Sequence, residues 1–70
     1  MLFKDWLLEQ NLSHQKAAER IGCTRAACYH WARGINRPTA KWNAIISEVT
    51  GGAVLANDHQ NAFLLREETV

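Results

Sequence analysis

A single proline, two cysteines and no long apolar run leave this chain few ways to be anything but a small, simply folded domain. No stretch approaches the roughly 18 consecutive apolar residues that a membrane span needs. The start, MLFKDWLLEQ, is charged at Lys4 and Asp5 and lacks the layout of a signal peptide. A cytoplasmic location is therefore expected. The two cysteines and a histidine, Cys23, Cys28 and His30, give a C-x4-C-x-H spacing. That spacing does not suit a common structural zinc site, and no fourth ligand is evident. No metal and no cofactor are expected. A Cys23–Cys28 disulfide is not expected in a reducing compartment. His14, His30 and His59 have no acid or nucleophile partner set, so the chain is not read as an enzyme.

Seventy residues make one small domain, expected over residues 1–66 with a disordered tail at 67–70. A domain of this size buries a limited share of its surface and is marginal alone, so a second copy is a natural partner. Net charge is only +1, but the charges are not evenly spread. Between His14 and Lys41 lie Lys16, Arg20, Arg25, Arg33, Arg37 and Lys41 against Glu19 alone, a local +5. The remainder carries −4, with Asp5, Glu9, Glu48, Asp58, Glu67 and Glu68 outweighing Lys4 and Arg66. A basic middle between acidic ends is an electrostatic footprint for a polyanion.

The basic middle is also where the helix signals are clearest. A first helix is expected from about Leu2 to Gln10, where Phe3, Trp6 and Leu7 follow helical spacing, with Asn11 as its stop. Ser13 can cap a second helix from about His14 to Ile21, whose inward face is the narrow set Ala17, Ala18 and Ile21. Gly22 then supplies the left-handed residue that a helix end wants. Thr24 can cap a third helix from about Arg25 to Arg33. Ala27, Cys28 and Trp31 line one side of it, and Arg25, Tyr29 and Arg33 the other. Gly34 closes that helix, and the loop Ile35 to Thr39 holds Pro38. Thr39 can cap a fourth helix, about Ala40 to Thr50. Its residues Trp42, Ile45, Ile46 and Val49 match the helical template completely, which marks it as the surest core helix. Gly51 and Gly52 stop it. Ala53, Val54 and Leu55 read as a brief strand or extended hook, and Asn57 as the cap of a last helix from Asp58 to about Arg66.

Two short helices around Gly22, the second with a polar face that no core needs, resemble the helix-turn-helix of Cro and CI phage repressors. The resemblance is closest in style to small Cro proteins and Cro-like prophage antitoxins. Ala18, Gly22, Cys28 and Trp31 stand at that family's small residue, turn glycine and two core apolar residues. Trp42 to Val54, ending VTGGAV, is similar to its next helix and exit. Two positions depart from the pattern. The second helix opens with His14 before Gln15, and Cys28 fills a place usually held by a β-branched residue.

The resemblance implies an all-α, four- to five-helix fold that lays its third helix in the major groove of double-stranded DNA. By position, base reading falls to Thr24, Arg25, Ala26, Tyr29 and His30. The chemistry suits the part: Arg25 can fork onto guanine, Ala26 leaves room for a thymine methyl, and Tyr29 and His30 offer flat faces with polar edges. Phosphate contacts are expected from His14, Gln15 and Lys16 at the second helix's start, from Arg33, and from Asn36, Arg37, Thr39 and Lys41 around the fourth. Val54, Leu55, Phe63, Leu64 and Leu65 exceed the needs of a four-helix core and are assigned to dimerisation. The expected function is a repressor that reads a palindromic operator as a homodimer, preformed or assembled on DNA. It would need neither membrane nor small-molecule ligand, and in a bacterial host it would sit with the nucleoid. Two alternatives remain: an antitoxin whose tail binds a toxin while the motif autoregulates its operon, and a protein-binding helical adaptor.

Overall fold

A computed structural model describes residues 1–66, and the side chains of residues 1–65. The expected tail at 67–70 lies outside the described residues. Five helices follow one another: α1 (Phe3–Glu9), α2 (His14–Ile21), α3 (Arg25–Arg33), α4 (Ala40–Val49) and α5 (Ala56–Arg66). The fold is all-α, with no strand among the described residues.

Local chemistry sets the ends of α2 and α3 where the sequence places them. The Ser13 hydroxyl accepts the Lys16 N–H and the Thr24 hydroxyl accepts the Ala27 N–H, both at 3.1 Å. Each bond satisfies one of the four N–H groups that a helix start leaves unpaired. Gly22 (φ +88°) and Gly34 (φ +73°) take the left-handed conformation at the two C-termini. Asn11, with φ +55°, ends the first helical segment in the same way, a conformation asparagine tolerates better than most residues.

The core explains how α2 and α3 come together. Ala17 and Ala18 of α2 and Cys28 of α3 are all buried, and none has a long side chain. The two helices therefore approach closely. Larger side chains wall this centre: Phe3, Trp6 and Leu7 from α1, Ile21, Trp31, Ile46 and Val54. The rings of Trp31 and Trp42 meet at 5.7 Å, and Phe3 stacks on Trp6 at 6.3 Å.

The second half of the chain departs from the sequence reading in four places. First, α4 buries only Ile46 fully, while Trp42, Ile45 and Val49 are half-buried. Its main neighbours are α2 and α5, so its apolar stripe lies at the margin of the core. Second, Thr39 precedes α4 but makes no side-chain cap bond. Third, Ala53 to Leu55 form no strand. The buried Thr50 hydroxyl donates to the Ile46 carbonyl at 2.8 Å and accepts the Val54 N–H at 3.2 Å, turning the chain sharply after α4. Fourth, α5 begins at Ala56, so Asn57 lies inside it. The Asp58 carboxylate accepts the Leu55 N–H at 2.8 Å, the reach-back half of a capping box.

The same carboxylate lies 3.3 Å from the Met1 ammonium, which also donates to the Ala53 carbonyl at 3.0 Å. Helix α5 packs behind α3, and a Cβ placed on Gly34 would lie 2.4 Å from the Ala62 carbonyl oxygen. No helix among the described residues is long and apolar enough to cross a membrane.

Candidate nucleic-acid interface

The outer face of α3 is presented as the sequence suggests. Arg25, Ala26, Tyr29 and Arg33 are exposed, and His30 is half-buried beside them. Thr24 is exposed too, but its hydroxyl oxygen already accepts the Ala27 N–H, so toward a ligand it retains its role as donor. Tyr29 is the centre of a small cluster. The His14 ring meets it edge-on at 5.3 Å, the His30 ring lies at 6.0 Å, and the Arg33 guanidinium sits 5.6 Å above its face. His14 is half-buried in this contact. It braces Tyr29 from α2, a contact that the sequence reading of His14 did not foresee. Nothing in the local sequence signals it, because the two residues belong to different helices.

The basic residues expected at the flanks are arranged around helix starts. Gln15 and Lys16 are exposed in the first turn of α2, and the Lys16 ammonium lies 3.8 Å from Glu19. Both side chains are largely solvated, so the pair is weak. Asn36, Arg37, Thr39 and Lys41 are exposed before and within the first turn of α4. Lys41 holds its ammonium 5.3 Å from the Trp42 ring centre. Arg37 donates to the Gln60 side-chain oxygen and lies over the Phe63 ring at 5.0 Å. The sequence reading missed this link to α5.

The helix starts themselves divide into two groups. The first turns of α2, α3 and α4 contain no acidic residue, whereas those of α1 and α5 contain Asp5 and Asp58. A helix N-terminus carries a partial positive charge and unpaired N–H groups. An acid there supplies its own anion; its absence leaves the end open to an external one.

The dimerisation set splits as well. Leu55, Leu64 and Leu65 are exposed and Phe63 is half-buried against Arg37. Val54 is 0% exposed. It belongs to the core of the chain itself and so offers no surface to a second copy, because the Thr50 turn points the chain inward there.

Titratable groups near the motif are muted. Burial, reinforced by Cys23, pushes the Cys28 thiol up to about 11, and burial also raises that of Cys23. Both sulfurs are protonated at neutral pH and are poor nucleophiles. Among the described residues no three His, Cys, Asp or Glu side chains gather as a metal site would require. Arg37, Thr39, Asn43, His59 and Gln60 line a recess between the start of α4 and α5. His59 is buried there edge-on to Phe3 at 5.8 Å, and neither ring nitrogen has a partner among the described residues. Burial lowers its pKa, outweighing the opposing influence of Asp58.

A family model described as helix-turn-helix matches residues 3–41, more than half of the chain, and spans the motif and both flanks. No curated protein and no solved structure matches the chain.

Proposed function

The chain belongs to the Cro/C1-type helix-turn-helix family, and from that membership we propose that it is a sequence-specific DNA-binding repressor. One observation carries the proposal: the exposed face Arg25, Ala26, Tyr29 of α3 is flanked by the acid-free starts of α2 and α4. The helix has the width and polarity to enter a major groove, and the two flanking starts would grip backbone phosphates on either side.

In this reading Arg25 forks onto a guanine edge, Ala26 meets a thymine methyl, and Tyr29 and His30 contact neighbouring bases. Gln15, Lys16, Arg33, Asn36, Arg37, Thr39 and Lys41 take phosphates. The partner is double-stranded DNA. The exposed Leu55, Leu64 and Leu65 supply an apolar surface for a second copy, either before or upon DNA binding. A two-fold pair of subunits would read inverted half-sites about 34 Å apart. Repression would follow from occupying a promoter, and the chain would work wherever the chromosome lies.

The test is a pair of variants measured by fluorescence anisotropy on a duplex selected from random DNA. Arg25→Ala costs about 1–3 kcal/mol on the selected site and relaxes discrimination among base changes at one position. Lys41→Ala weakens all duplexes alike and lowers the salt slope by about one. If neither variant alters binding, α3 does not lie in the groove and the proposal fails.

A further inference from the structure

We propose that Gln60 and Phe63 of α5 are positioning residues for Arg37, so that the last helix sets the strength of the DNA grip without touching DNA. The inference rests on the proposed DNA-binding reading. Arg37 lies in the short connection between α3 and α4, and an unrestrained arginine has a large rotamer entropy to lose on contact. Here that freedom is already restricted from two directions. The Gln60 side-chain oxygen accepts from one guanidinium nitrogen, and the Phe63 ring lies beneath the guanidinium at 5.0 Å. Residues 60 and 63 are three apart on a helix, so they form one continuous face.

The choice of holder matters. An amide oxygen orients the guanidinium and leaves its charge intact. A carboxylate at the same place would orient it and neutralise it. The described ion pairs include none to Arg37, whereas Lys16 is paired with Glu19. A guanidinium has five N–H donors, so one bond to Gln60 leaves several for a phosphate. Arg37 remains exposed while held, and the neighbouring start of α4 has no acid in its first turn. Helix α5 can act as a fixed support because its backbone lies directly against Gly34.

The experiment uses the full chain with Gln60→Ala, Gln60→Glu, Arg37→Ala and the double variant Gln60→Ala/Arg37→Ala. Each is titrated on a 20-base-pair duplex of unrelated sequence across a potassium chloride series, with thermal melting alongside. Gln60→Ala weakens binding about threefold to tenfold, and in the Arg37→Ala background it adds nothing. Gln60→Glu weakens binding at least as much while its melting temperature holds or rises. A purely structural role would not produce that split between grip and stability. Equal weakening by Gln60→Ala with and without Arg37, or wild-type binding by Gln60→Glu, overturns the proposal. Wild-type binding by Arg37→Ala alongside weak binding by Arg25→Ala and Lys41→Ala overturns it too, and leaves the DNA reading standing. A wild-type chain that binds no duplex at all removes both.

Discussion

Replacing Gly34 with alanine isolates how firmly α5 is seated, because Gly22 provides a matched control. Both glycines end a motif helix in the left-handed conformation, at φ +73° and +88°. An alanine there costs about 1–2 kcal/mol of backbone strain, offset by about 0.4–1 kcal/mol from a less flexible unfolded chain. Around Gly22 an added Cβ meets nothing within 4 Å, so Gly22→Ala should cost about 1 kcal/mol net. At Gly34 the Cβ would lie 2.4 Å from the Ala62 carbonyl oxygen and 2.8 Å from its carbon. Those are backbone atoms, so relief requires α5 to shift bodily. Overpacking of this kind adds about 1–3 kcal/mol, for a total of about 2–4 kcal/mol. Urea unfolding followed by tryptophan fluorescence measures both variants. With a slope near 1 kcal/mol per molar for so small a chain, the midpoint falls by about 1 M for Gly22→Ala and by about 2–4 M for Gly34→Ala. Equal shifts for the two variants would refute the claim that α5 rests on the end of α3.

Two further outcomes follow from groups described above. His59 takes up a proton near pH 6.5 when unfolded but only at lower pH when folded, since burial lowers its pKa. The unfolded state therefore holds more protons in acid, so the His59 contribution is fully present above about pH 6.5 and declines as pH falls toward the folded value. Thermal melts at pH 7.5 and 5.5 should show this loss, and His59→Phe should flatten it; parallel profiles for the two proteins would contradict the assignment. Thr24→Ala removes the hydroxyl that caps α3 and should destabilise the chain by about 1 kcal/mol in chemical unfolding, and an unchanged midpoint would show that the cap bond contributes nothing.

The sequence discloses the motif well because its boundaries are set by neighbours in the chain. Ser13, Gly22, Thr24 and Gly34 act on backbone groups within a turn of themselves, and both α2 and α3 begin and end where those residues direct. The outward placement of Arg25, Tyr29 and Arg33 follows from helical spacing alone. What the sequence hides depends on contacts through space. The Thr50 hydroxyl draws Val54 inward, His14 braces Tyr29 across two helices, and Arg37 reaches a helix that begins nearly twenty residues later. The weak pattern of α5 comes from having partners on several sides, since it covers α3, α4 and Phe3 while leaving Leu64 and Leu65 in solvent. A short apolar set at that end reads equally well as a subunit contact or as core, and the structure buries Val54 while leaving Leu55, Leu64 and Leu65 exposed.

The contact between α2 and α3 has a bearing on how such a protein can be altered. Ala17 and Ala18 of α2 and Cys28 of α3 are buried with little side-chain length between the helices, and none of them faces outward. The outward residues Arg25 and Ala26 are exposed and stand apart from that joint, whereas Tyr29 is tied to it through the His14 ring. If α3 reads DNA as proposed, the motif is a socket with a partly exchangeable face: new side chains at positions 25 and 26 leave the seam uncut and would be carried at the same angle as the old.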